Sequence, residues 1–453
     1  MVRPDPGSFR DPASHVVFHE GRVLRLFDER GLEAWRALST APFFSRETAA
    51  GRIIESTPVE DPTGTAAGAV EHPRLPLITY PYEWTFGMLK DAALLQLDLL
   101  EEALRDGFTI KDATPFNIQF RNGRPVFIDM GSFEPYRKGE PWIGYRQFTR
   151  QFLFPLLMHA WAGIPFQPWL RGDPEGPTAA QMRSILRGRK RLNTAALLHV
   201  RLQARMEDRL RGSAVRSELR TAGFNAELII ANVRRLRKLV ASLAPHPSGA
   251  GWAGYQECAH VGRDRDTKSE FLEQILDGGH FTTVLDLGAN DGHFSRIAAR
   301  KGALAVAVDG DEAVLDRLHD SIAGQPIAVV LADLTNPSPS LGWRLAERPG
   351  LWERVDPDLV IAYGLIHHLI YTASIPPTSV LDWLREFDCP VALEFVTPDD
   401  EMVEVLTANK EEPELHPGRT EAEFRSLLDG RFKVESERPL GGGARILFHL
   451  IPA

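Results

Sequence analysis

Cysteine is nearly missing from this 453-residue sequence: Cys258 and Cys389 are the only two. Two thiols so far apart exclude a disulfide framework and a cysteine metal cluster, and they fit a reducing cytoplasm. No apolar run reaches the length of a bilayer span. The richest, FLFPLLMHAWAGIPF at 152–166, is broken by two prolines and a histidine, so no membrane segment is expected. The opening stretch MVRPDPGSFRDPAS has no apolar centre behind Arg3, which argues against a secretory signal. Surplus positive charge is lacking as well. The formal net charge of −9 disfavours nucleic acid or an anionic membrane as a general partner.

What is present is ordinary for a globular chain, with 43% apolar and 25% charged residues. The length predicts about three domains. The chain organises around FTTVLDLGANDGHFS at 281–295. It reads as a buried strand over 283–287, a glycine turn and the first turn of a helix, a junction at which α/β domains bind ligands. Gly288 and Gly292 let the backbone turn sharply and lie close to a ligand. A dinucleotide site asks for a further glycine where this chain has Asn290, and Asp291 adds a negative charge that disfavours pyrophosphate. Asp286 and Asp291 suit a ligand with hydroxyls, an ammonium and a sulfonium, since carboxylates accept hydrogen bonds and favour nearby positive charge.

Further apolar runs end on acids or polar groups. ALAVAVDG at 303–310 ends in Asp309, about 20 residues past the first glycine, the offset of a ribose-binding acid. IAVVLADL at 327–334 ends in Asp333, DLVIAYGLIHHL at 358–369 passes through Tyr363 to His367 and His368, and VALEFV at 391–396 carries Glu394. A single strand-end aspartate can simply cap the next helix; three in succession favour a shared pocket.

The stretch 281–295 resembles motif I of the class I S-adenosylmethionine-dependent methyltransferases. The resemblance implies an α/β, Rossmann-like sheet, mostly parallel with a reversed last strand, closed by a hairpin of RFKVESERPL and ARILFHLI. It implies S-adenosylmethionine as cofactor, held by Asp286, Gly288, Asn290, Gly292, Asp309, Asp333 and Tyr363. His367 and His368 fall where such enzymes place acceptor-facing residues, and neutral imidazole near pH 7 is a suitable base. Glu394 is a second base or orients a histidine. The helix expected at 266–278 offers Lys268, with Tyr255 before it, to the cofactor carboxylate. No metal is expected, and the acceptor is read as a small molecule methylated on oxygen or nitrogen.

A second stretch, FTIKDATPFNIQFRNGRPVFIDMGSFE at 108–134, resembles the catalytic and metal-binding loops of protein-kinase-like and aminoglycoside-phosphotransferase folds. Asp112 and Asn117 have the D-x-x-x-x-N spacing, and Asp129 opens the counterpart of D-F-G. The resemblance then breaks down. There is no glycine-rich phosphate loop before residue 75 and no lysine before Lys90. Arg25 is the only basic residue at the place of the phosphate-gripping lysine, for which arginine is a poor substitute.

These readings divide the chain into a degenerate kinase-like α+β region (1–140), a helical lobe (141–245) and a methyltransferase domain (246–453), with the Pro/Gly-rich 244–256 as linker. Residues 57–70 are expected as a loop, 75–84 as a strand and bend, and 88–107 as an amphipathic helix. Basic clusters at Arg183–Arg191 and Arg234–Lys238 read as solvated helix faces, because no aromatics interleave them. Three rival functions are a working bifunctional kinase, an RNA methyltransferase and a silent cofactor-binding protein. The sequence does not fix the acceptor or the oligomeric state.

Overall fold

The computed structural model describes residues 2–186, 225–246, 261–410 and 415–453. Cys258, Tyr255, the basic residues 187–191 and the rest of residues 187–224 of the expected helical lobe lie outside the described residues. The chain divides into two compact units, Met1–Gly249 with Ser340–Pro349, and Ala250–Pro339 with Gly350–Ala453.

The first unit opens with an antiparallel sheet of five strands in the order β1-β2-β3-β5-β4. They are β1 (Arg3–Pro4), β2 (Ser14–His19), β3 (Arg22–Phe27), β4 (Thr57–Val59) and β5 (Gly68–His72). The two-residue turn Glu20-Gly21 has positive φ at both positions, 51° and 78°, as a tight hairpin requires. The helix Glu29–Ser39 begins where Asp28 accepts the Gly31 N–H at 2.6 Å. The long helix Phe86–Arg105 begins at the cap Thr85 and buries its Met88, Leu89, Ala92, Leu99 and Ala103. After it come β6 (Phe108–Ile110), β7 (Ile118–Arg121), β8 (Arg124–Phe127) and β9 (Phe133–Pro135), with β6 paired to β9 and β7 to β8.

Three expectations change here. The stretch expected as a loop at 57–70 contains β4 and the start of β5, Pro58 being tolerated because β4 is an edge strand. The stretch expected as a strand at 75–84 forms none. Pro76 and Pro81 remove ladder donors, and Pro81–Glu83 makes a single 3₁₀ turn. The helical lobe is not a unit by itself. The helix Ala226–Ser242 lies along Phe86–Arg105, with Arg234 bonded to Glu101 at 2.8 Å, Arg237 to Asp98 at 2.5 Å and the Leu243 carbonyl to Lys90 at 2.8 Å.

The second unit is α/β. Its strands are β10 (Thr283–Leu287), β11 (Leu304–Asp309), β12 (Ile327–Leu331), β13 (Leu359–Ala362), β14 (Val391–Val396), β15 (Phe432–Leu440) and β16 (Arg445–Pro452), in the order β12-β11-β10-β13-β14-β16-β15. The first five pair in parallel, and β16 runs antiparallel to both β14 and β15. This is the mostly parallel sheet with a reversed last strand that the resemblance implies. Its inner strands are near-continuous Val, Ile, Leu and Ala because both faces are buried. The chain steps outward from β10 to β12, then returns past β10 to place β13 on its other side. That reversal opens a crevice at the carboxyl ends of β10 and β13.

Candidate functional site

The crevice is built from the turn after β10. Gly288 (φ 72°) and Asn290 (φ 50°) are both left-handed. The Gly288 and Ala289 amides donate to the Val308 carbonyl at 2.9 and 3.0 Å, and the Asn290 amide donates to Asp309 Oδ2 at 2.9 Å. The turn is therefore pinned to the end of β11, which brings Asp286, Gly288, Asn290 and Asp309 together. Gly292 (φ 72°) then opens the helix His293–Arg300. An added Cβ there would stand 2.5 Å from Leu318 Cδ1, so the left-handed backbone and the packing of Leu318 together favour glycine.

Asp286 is 2% exposed and accepts from Ser295 Oγ at 2.6 Å. Burial pushes its carboxyl up to about 7; Asp309 and Asp291 act in the same direction, and the Ser295 hydrogen bonds oppose them. Burial also raises Asp309, whose Oδ1 accepts the Asp311 amide at 2.8 Å. Asp333 is exposed, and its Oδ1 accepts the Thr335 amide at 2.8 Å and hydroxyl at 2.7 Å. These bonds make it a turn cap at the end of β12. Asp291 is neutralised from outside the turn by Arg265, which reaches both of its oxygens at 2.8 and 3.0 Å.

On the β13 side, Tyr363 is buried with its ring edge-on to Phe294 and its hydroxyl without a hydrogen-bond partner among the described residues. Burial, reinforced by Glu394, raises the pKa of that hydroxyl and keeps it protonated. His367 is 1% exposed, and neither ring nitrogen has a partner among the described residues. Burial, the neighbouring His368 and the cations Arg445 and Lys268 hold it well below the usual imidazole range. The rings of His367 and His368 lie 4.2 Å apart. A π-helical turn, His368–Thr372, follows, a deviation common at functional sites. A neutral imidazole has one donor and one acceptor to satisfy, so His367 and Tyr363 present buried polar atoms that a ligand can meet.

Glu394 is 0% exposed and surrounded by donors: Lys268 Nζ at 2.7 Å, the Gly364 amide at 2.7 Å and Arg445 at 3.3 Å. Lys268 thus spends its charge on Glu394. His293 bonds Ser269 Oγ at 2.8 Å through Nε2. Sequence reasoning missed Arg265, Ser269, Ser295 and Arg445. The spacing of Arg265, Lys268 and Ser269, one face of the helix Val261–Gly278, was the available signal.

In the first unit, Asp112, Asn117 and Asp129 also converge. Asp129 Oδ1 pairs with the buried Arg25 at 3.0 Å, and its Oδ2 accepts from Ser132 Oγ at 2.6 Å. Asn117 Nδ2 donates to Ser132 Oγ at 2.9 Å. Asp112 is raised by desolvation among the loops and by Asp129, Asp11 and Glu134, with Lys111 opposing. Residues 340–349 close on the same unit, where Glu347 bonds Arg10 at 2.8 Å and Arg348 stacks on Phe116.

No protein-family model matches the chain. Solved structures similar to part of it include N-methyltransferase NodS from Bradyrhizobium japonicum WM9, 12% identical, with 44% of this chain and 99% of that one covered at a TM-score of 0.30. Magnesium protoporphyrin IX methyltransferase from Synechocystis PCC 6803 with bound SAH is 17% identical, with 49% and 94% covered at a TM-score of 0.29. Nodulation protein NoeA of Rhizobium meliloti (strain 1021) is 32% identical over 464 residues, spanning 98% of this chain and 94% of NoeA. Identity at that level along nearly the whole of both sequences places the chain in the family of nodulation protein NoeA.

Proposed function

We propose that the second unit is an S-adenosylmethionine-dependent methyltransferase acting on oxygen or nitrogen of a small-molecule acceptor in the cytoplasm. The observation that carries this reading is the meeting of Asp286, the Gly288–Asn290 turn and Asp309 at adjoining strand ends, with the Asn290 amide bonded to Asp309. The residues fit that cofactor. Asp309 suits a ribose as an acid at the end of β11, Asp286 supplies a buried carboxyl, and Gly288 admits a ligand close to the main chain. Tyr363, directly after β13, is a further candidate, while Asp333 caps its own turn after β12. When bound, the cofactor supplies a methyl group on a sulfonium centre, open to direct displacement. The chain must then align the acceptor in line and take its proton. His367, buried and with both ring nitrogens unpartnered among the described residues, is our candidate for that step beside His368. Glu394, already compensated by Lys268 and Arg445, is better suited to holding the site than to accepting a proton.

Calorimetry with S-adenosylhomocysteine on the full chain tests the reading. Binding is expected in the unaltered protein and at least about tenfold weaker in Asp309→Ala, the loss of one or two charge-assisted hydrogen bonds. Absence of binding in the unaltered chain would overturn it.

For the first unit we propose a degenerate kinase-like scaffold without phosphotransfer. Supporting the ancestry is the convergence of Asp112, Asn117 and Asp129 behind an antiparallel sheet. Against phosphotransfer stands the donor set. Both Asp129 oxygens are already engaged by Arg25 and Ser132, and no cluster of three acidic, histidine or cysteine ligands exists among the described residues. These residues do not fit a magnesium ion, which needs several free oxygens. Magnesium and ATP should leave the unfolding temperature of the full chain unchanged. A saturable rise that disappears in Asp129→Asn would refute this reading.

A further inference from the structure

Glu394 ties three elements together. From β14 its Oε2 receives both the Lys268 ammonium and the Gly364 amide, each at 2.7 Å, while its Oε1 faces Arg445 at 3.3 Å. Arg445 in turn binds Asp400 through two nitrogens at 2.7 and 2.9 Å. Gly364 is the left-handed residue (φ 62°) that turns the chain out of β13. Tyr363 precedes it directly, and His367 follows within one helical turn. A carboxylate with no solvent access is compensated here by the two cations that face it. Lys268 comes from the helix Val261–Gly278, whose Arg265 and Ser269 reach the glycine turn and His293 in the same way.

We propose that Lys268 is a positioning residue for His367, acting through Glu394 and the Gly364 amide to hold the turn that presents Tyr363 and His367 to the acceptor. The proposal rests on the methyltransferase reading of this unit. It assigns Lys268 to the acceptor side, not to the cofactor carboxylate for which the sequence also suited it. The charged groups around His367 are few. His368 lies on its own turn, Lys268 comes from the preceding helix and Arg445 from β16. Glu394 of β14 stands between the two cations, and Asp400 caps the helix Glu401–Thr407, which packs on the π-helical turn. The Lys268 cation thus helps keep the imidazole unprotonated, and so able to accept a proton, near neutral pH.

The test follows the ring titration of His367 by NMR on the full chain with labelled histidine, the signal being assigned by its loss in His367→Gln. In Lys268→Met the midpoint should rise by about one pH unit, a tenfold change in proton affinity, as a neighbouring cation is removed. Lys268→Arg should restore it. S-adenosylhomocysteine affinity should change by less than about threefold in both variants. A folded Lys268→Met protein with an unmoved His367 midpoint overturns the proposal. If affinity for S-adenosylhomocysteine also falls more than about tenfold, Lys268 serves the cofactor instead. Should Lys268→Met not fold, Glu394→Gln is the second variant. It keeps an acceptor for Gly364 and removes a negative charge, so the midpoint should move down, and a rise would overturn the proposal equally. Failure of the unaltered chain to bind S-adenosylhomocysteine would remove the methyltransferase reading itself, a different outcome from an unmoved titration.

Discussion

Asp286 keeps its proton to about pH 7 because burial opposes its charge. A carboxyl with a raised folded pKa contributes stability that is complete below its unfolded value, about 3.9, and is lost as pH climbs through the folded value. Asp286→Asn, nearly isosteric and uncharged, should therefore match the unaltered protein most closely at pH 4 and exceed it at pH 8. The gain should be on the order of 4 kcal/mol at most, with urea unfolding at the two pH values as the check. A difference independent of pH would contradict it. Asp286 and Asp309 were legible in the sequence because each ends an apolar run with an acid. Ser295, Arg265 and the pairing of Lys268 with Glu394 were not, since each depends on how a helix lies over a strand end. Glu394 reads as a base in sequence because nothing local reveals that two cations from other elements enclose it.

Among the elements, the helix His293–Arg300 depends on its first glycine. Gly292→Ala combines left-handed strain with a Cβ driven against Leu318, and should cost about 2–4 kcal/mol in urea unfolding. Gly288→Ala has ordinary contact space, 3.4 Å to Leu365 Cδ1, and should cost about 1 kcal/mol from strain alone. Two tryptophans that look alike in the 335–355 stretch also separate. Trp352 packs on Trp383 and Phe387, whereas Trp343 is 66% exposed. Trp352→Ala should lower the unfolding midpoint clearly, and Trp343→Ala should leave it nearly unmoved. The strands of the second unit were legible because parallel, doubly buried strands are unbroken apolar runs. β4 was hidden, since an edge strand with a proline needs little of that pattern and takes its place from β5, a partner that local composition does not reveal.

For the molecule as a whole, Arg234 and Arg237 are occupied by Glu101 and Asp98 of the neighbouring helix. They serve helix packing, and with a net charge of −9 the full chain should show no steeply salt-dependent retention of RNA in a filter-binding assay. Reversing both charges should instead lower the unfolding midpoint of the protein. Of the three regions expected from sequence, two form one body, because contacts between distant helices outweigh a change in local composition. Least legible was that residues 340–349 belong with the first unit, for a decapeptide between two strands carries no mark of what it packs on. That excursion bears on biosynthesis. A ribosome that has just added Gly249 has not yet made the stretch with which Arg10 and Phe116 close, so the amino-terminal half stays unfinished while β10, β11 and β12 are being translated. A gene truncated at that codon would encode a body missing one of its own parts, and co-expressing the remainder as a second polypeptide is the way to make it good.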